Sequence, residues 1–326
     1  MHTTAPTQTM STTTTSARAA LDATGSTLIT DAGLETWLIF HHGHDLPAFA
    51  AYPLAGTEPG RDLLEQYYLR YVEIATAIDA GVLLEAPTWR ANPEWAATIG
   101  HDVDDLGRLI AGGIELLHDL RDRHAGQRPF LVSGTVGPRG DGYELGRTMT
   151  AEEASGYHDW QIARMAESGV DLVSALTMGY VEEAIGIATA ARRHDVPVVI
   201  SFTLETDGRL PSGTTLGDAI ESTDAATGGY PLHYMINCAH PTHFDHALEP
   251  GASWAERIGG LRANASTLSH AELDEMVELD EGDRHDLAER YVGLRPLLPA
   301  LRVLGGCCGT DDSHVEAIAR AWAGRR

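Results

Sequence analysis

From residue 27 onward, short apolar runs alternate with longer stretches in which apolar residues recur every three or four positions. Runs over 27–33, 82–88, 129–136, 170–177 and 196–203 predict five strands. A sixth ends at Cys238, a seventh lies within 260–266, and an eighth ends at Cys307. Helical spacing fills 61–80, carried by Leu63, Leu64, Tyr67, Tyr71, Ile74, Ala75 and Ile78. It returns over 102–122, 150–168, 180–194, 215–227, 270–298 and 312–323. Asp102 or Asp104 supplies a start signal for the second of these, and Asp311 or Asp312 for the last, whose Val315, Ile318 and Ala319 are expected to face inward.

A single series of strand–helix units predicts a parallel sheet covered by helices. Eight such units suit a closed (β/α)8 TIM barrel over residues 23–326. An open doubly wound sheet is the rival, but no Gly-x-Gly-x-x-Gly follows the first strand. Residues 1–22, rich in Thr, Ser and Ala, read as a flexible tail without the apolar stretch of a secretion signal; an ordered arm over one barrel end is the alternative.

Charge narrows the partners. With 47 acidic against 23 basic residues and a formal net charge of -24, a general affinity for nucleic acid or anionic lipid is not expected. No apolar stretch is as long as a membrane span. The 3 cysteines do not make a disulfide framework and fit a reducing, cytoplasmic setting. The expected partners are small molecules, and a homo-oligomer stays open.

The cysteines carry the sharpest chemistry. Cys307 and Cys308 sit between Gly305-Gly306 and Gly309, and Cys238 follows Asn237; all stand at predicted strand ends, which share one face of a barrel. Three thiolates meeting there would hold Zn2+ and leave one position for a substrate sulfur. Buried packing cysteines and a redox pair are the competing readings.

Gly305-Gly-Cys307-Cys308-Gly-Thr310, Asn237-Cys238-Ala-His-Pro241, Gly137-Pro138 and Asp31 together resemble the homocysteine S-methyltransferase family over about residues 27–322. The resemblance implies a (β/α)8 barrel, zinc on Cys238, Cys307 and Cys308, and methyl transfer to a zinc-bound thiol, with homocysteine giving methionine as the family reaction. It also marks departures. Asp31-Ala32 stands where the family has Asp-Gly, and Leu176-Thr177 where it has Glu-Thr, whose glutamate binds the acceptor's amino group. Arg262 precedes Ala263-Asn264 where an aromatic is commoner.

Asp31, Glu35, Glu85, Thr88, Trp89, Phe202, Asn237 and Asn264 complete the candidate set for binding donor and acceptor. An apolar Leu176 cannot balance an ammonium, so either Glu35 or Glu85 does so or the acceptor is not homocysteine. His41, His42, His44 and Asp45 match no metal motif and read as a polar loop over the barrel mouth; His240, His243 and His246 are helix-start and loop residues or neighbours of the zinc ligands. Arg139 is either a carboxylate anchor or solvent-exposed. The expected activity is methyl transfer from a sulfonium or quaternary ammonium donor to a thiol. A metal-dependent barrel hydrolase or lyase, and a non-catalytic zinc barrel or methyl-carrier partner, are the alternatives.

Overall fold

In the computed structural model, which describes residues 17–19, 21, 26–124, 126, 128–276 and 278–324, the strands are β1 Leu28–Ile29, β2 Gly81–Glu85, β3 Phe130–Val136, β4 Leu172–Met178, β5 Val198–Phe202, β6 Tyr234–Asn237, β7 Ile258–Ala263 and β8 Val303–Gly306. Each pairs in parallel with the next, and β8 pairs with β1, so the sheet closes into a barrel. The long helices are α1 Glu58–Ala77, α2 Val103–His124, α3 Ala151–Glu167, α4 Val181–Arg193, α5 Leu216–Thr227, α6 Arg284–Gly293 and α7 Asp312–Gly324. This is the (β/α)8 barrel that the alternation predicts. Among the described residues no helix is long and apolar enough to cross a membrane.

Local chemistry fixes the boundaries. Thr57, Thr150 and Thr215 cap α1, α3 and α5 through their hydroxyls, and Thr150 forms a reciprocal capping box with Glu153. Asp102 accepts from the N–H groups of Asp104 and Asp105, and Asp311 from those of Ser313 and His314. Val315, Ile318 and Ala319 are fully buried. The predicted helix over 270–298 is instead a short turn, His270–Asp274, and α6. Gly282 at φ 53 and the Asp283 cap of α6 explain the break.

The barrel interior is built in tiers. Leu28, Leu83, Leu131, Leu172, Val199, Met235 and Val303 form an apolar floor. Two residues farther along, and so on the same inward side, stand Thr30, Glu85, Ser133, Ser174, Ser201, Asn237 and Gly305. This second tier is polar and buried. Ala17 and Leu21 belong to the floor cluster, 1% and 4% exposed. That part of the expected flexible tail therefore packs under the barrel, because the floor needs an apolar cover on its outer side. The rest of the tail, residues 1–16, 20 and 22, lies outside the described residues.

Candidate metal centre and binding cavity

Cys238, at the end of β6, and Cys307 and Cys308, behind β8, bring their sulfurs within 4.8 Å of one another. Among the described residues this is the one group of three or more His, Cys, Asp or Glu side chains that converges as metal ligands would. The sulfurs of Cys238 and Cys307 are paired as a disulfide, with Cα atoms 5.4 Å apart, and Cys308 is free. The adjacent pair Cys307-Cys308 is therefore not the bonded one.

The backbone is bent to bring the sulfurs together. Cys238 has φ 53 and Thr177 φ 66, both in the left-handed region that L residues with side chains avoid. The β4–β5 register slips between Ala175 and Met178, so a bulge presents Leu176 and Thr177. Asn237 holds both bends. Its Oδ1 accepts from Thr177 N–H at 2.8 Å and from the Ser201 hydroxyl at 2.6 Å. Its Nδ2 donates to Thr177 Oγ1 at 2.9 Å and faces Cys307 Sγ at 3.8 Å. Of the bracketing glycines, Gly309 takes the left-handed turn, at φ 76. Gly305 serves a different end: a Cβ there would stand 2.5 Å from the Asp31 carbonyl.

The sulfurs line a cavity of about 450 Å³ at the C-terminal face of the barrel. Asp31, Glu35, Glu85, Trp89, Asn237 and Asn264 also line it. Thr88 and Phe202 do not. The Thr88 hydroxyl donates to the Thr135 carbonyl and accepts from its N–H, pinning β2 to β3. Phe202 is fully buried and stacks on Tyr234, on the side of the sheet facing the helices.

The histidines are placed elsewhere. His41 pairs with Glu281 at 3.2 Å, and His42 packs on Trp37, at the rim. His240 caps the turn Pro241–Phe244, and His243 bonds the Thr267 carbonyl at 2.8 Å. Arg139 pairs with Glu94 at 3.1 Å.

Arg262 is the residue whose weight sequence reasoning did not register, although a lone arginine inside the apolar run of β7 is its visible signal. It is 5% exposed and reaches from β7 across β8 to β1. Its guanidinium meets the Asp31 carboxylate at 2.5 Å and donates to the Ala32 and Gly306 carbonyls and to Thr30 Oγ1. Glu85 stands 3.8 Å away, with both carboxylate oxygens buried. Burial pushes the Glu85 carboxyl up to about 7, against the pull of Arg262. Burial, reinforced by Asp31, likewise takes Glu35 to about 7. The pairing with the two acids keeps Arg262 charged.

Two further residues close the cavity. Tyr143, from the loop after β3, stacks on His270, from the segment after β7, with ring centroids 3.8 Å apart. Tyr143 also hydrogen-bonds the Cys308 thiol, which burial, with Glu35 adding to it, pushes up to about 11. A thiol so disfavoured as thiolate needs a cation beside it to ionise at neutral pH. Three sulfurs within reach of one point, one of them in that position, form a soft donor set that fits a thiophilic metal ion.

A family model described as homocysteine S-methyltransferase matches residues 28–322. Homocysteine S-methyltransferase 4 of Zea mays is 26% identical, over 91% of this chain and 90% of its own length. Selenocysteine Se-methyltransferase of Brassica oleracea var. italica is 25% identical, over 94% and 92%. The crystal structure of the oxidized form of the homocysteine methyltransferase MmuM from Escherichia coli superposes with a TM-score of 0.74 at 21% identity, covering 93% of this chain and 98% of that one. Its metallated form superposes with a TM-score of 0.71. At these identities the two structures speak for the fold.

Proposed function

The chain belongs to the homocysteine S-methyltransferase family, and from that premise we propose that it is a zinc-dependent methyltransferase that moves a methyl group from an onium donor to a thiol, with homocysteine as the expected acceptor. The observation that carries this reading is the meeting of Cys238, Cys307 and Cys308 on the wall of a closed-barrel cavity.

In the reduced protein these three residues would hold the ion. When bound, zinc supplies a Lewis acid that keeps a coordinated thiol ionised near neutral pH. The protein's own residues do the rest. Asn237, next to Cys238 in the chain, ties β6 to Thr177 of β4 and faces the Cys307 sulfur, which supports a ligand set ordered before substrate arrives. Phe40, Phe49, Trp89 and Tyr143 give the cavity aromatic walls. Ring faces attract a sulfonium or quaternary ammonium group and keep water away. The acidic side chains lining the cavity, Asp31, Glu35, Glu85, Asp141, Glu278 and Asp280, outnumber the basic Arg90 and Arg262, which also favours a cationic donor.

In the reaction the acceptor sulfur attacks the donor's methyl carbon. The new S–C bond forms as the donor's S–C or N–C bond breaks, and its electron pair returns to the donor heteroatom, which leaves neutral. No general acid is needed. The lining residues contribute by holding the two partners in line. A three-sulfur site works while its thiols stay reduced, which suits a cytoplasmic setting.

The test is direct. Reduced, zinc-loaded protein is mixed with homocysteine and, separately, S-methylmethionine, betaine or S-adenosylmethionine, and methionine is measured. Zinc-dependent methionine formation with one of these donors is expected. Undiminished turnover by protein stripped of metal would refute the mechanism.

A further inference from the structure

Two ionisable side chains of opposite sign line the cavity without an ion-pair partner among the described residues. The first is Glu35. Its side chain lines the cavity, and its hydrogen-bond partner is its own backbone. Among the described residues no basic nitrogen stands within 4.0 Å of its carboxylate. It lies close enough to Cys308 to disfavour the thiolate there.

Several other groups at the strand ends are taken or apolar. Asp31 is held by Arg262 at 2.5 Å. The Ala32 N–H donates to the Tyr67 hydroxyl at 3.1 Å. Glu85 lines the cavity too, but its carboxylate oxygens are buried and stand 3.8 Å from Arg262. Leu176 lines the cavity with an apolar side chain.

The second charge is Arg90, which is 6% exposed. Trp89 and Trp95 cover its guanidinium, 4.1 and 4.2 Å from their ring centroids. One terminal nitrogen donates to the Pro138 and Gly140 carbonyls, while Nε has no partner. Among the described residues no carboxylate comes within 4.0 Å of it. Asp141 is the strongest charge acting on it, from beyond ion-pair range, and a ligand carboxylate in contact would further lower the cost of burying the guanidinium. Glu35 and Arg90 each feel the other's charge, yet they are too far apart to pair directly.

We propose that Glu35 and Arg90 form the head-group subsite for an α-amino-acid thiol, Glu35 accepting from its ammonium and Arg90 donating to its carboxylate. Position 35 thereby does what an acidic residue at position 176 would do. This rests on the methyltransferase reading, because the thiol end of the same molecule must reach the sulfur cluster.

Equilibrium binding to reduced, zinc-loaded protein tests it, with metal content measured for every variant. The probes are homocysteine, γ-mercaptobutyrate (homocysteine without its ammonium) and aminopropanethiol (homocysteine without its carboxylate). The wild-type protein should bind homocysteine about 10- to 100-fold more tightly than either truncated thiol, the range expected for a lost charge-assisted hydrogen bond. Glu35→Gln should weaken homocysteine by a similar factor and leave γ-mercaptobutyrate within about threefold. Arg90→Lys should weaken homocysteine and spare aminopropanethiol. Adding Leu176→Glu to Glu35→Gln should recover part of the lost affinity. Thiols that bind without preference, or a Glu35→Gln loss equal for homocysteine and γ-mercaptobutyrate, would overturn the subsite alone. Failure of every thiol to bind zinc-loaded protein would overturn the methyltransferase reading with it.

Discussion

Arg262 of β7 and Asp31 behind β1 form an ion pair at 2.5 Å that spans the intervening strand β8. The pair is buried at both ends, 5% and 2% exposed. Removing one partner of such a pair leaves a charge without compensation, at a cost of about 3–5 kcal/mol. Arg262→Leu is therefore expected to lower unfolding free energy by that amount in urea titrations. A loss below about 1 kcal/mol would mean that the pair does not brace the barrel top.

The disulfide between Cys238 and Cys307 and a metal ion on the same sulfurs exclude each other. Oxidised protein should take up no zinc. Reduction should expose three titratable thiols and allow one zinc per chain. Cys308→Ala should lose zinc and turnover together, although Cys308 lies outside the disulfide. Thiol titration and metal analysis on the same samples decide this.

Glu85 gives the fold a pH dependence of a defined sign. Its carboxyl rises from 4.5 to about 7 on burial, so the folded state prefers it protonated. Its contribution is full below about 4.5 and is lost as pH rises to about 7, by an amount on the order of 3 kcal/mol. Glu85→Gln fixes the neutral form. The stability of the variant relative to wild type should climb across that window. A difference that stays flat with pH would show that Glu85 is ionised throughout.

Asn237 ties down two backbone bends and faces a ligand sulfur, so Asn237→Ala should be felt twice. The loss of its buried hydrogen bonds should cost about 2–4 kcal/mol. Released positions at Thr177 and Cys238 should also weaken zinc binding about 10- to 100-fold, measurable by competition with a chelator. Unchanged zinc affinity would confine Asn237 to a structural role.

Much of the barrel was legible because its strands and helices obey simple periods. The pairs Leu83/Glu85, Leu131/Ser133, Leu172/Ser174 and Val199/Ser201 even spell out the two interior tiers. The cysteines were legible because they stand at strand ends. Asp31, Glu35, Glu85 and Trp89 reach the cavity from the first two strand ends, as the sequence suggests. Thr88 illustrates the limit: one step along the chain from Trp89, its side chain turns away to bond β3. The reach of Arg262 across a neighbouring strand was hidden because a long side chain's destination depends on the closed geometry. The break at Gly282 was hidden because polar residues on both sides of it keep helical spacing.

The floor cluster that takes in Ala17 and Leu21 has a practical side. A chain started at residue 26 would leave Leu28, Leu83 and Val303 facing water at the end of the barrel opposite the cavity. Trimming the leader to what looks like the first strand would then invite self-association through that end, far from any catalytic group. Extensions placed ahead of Ala17 would leave the cover in position.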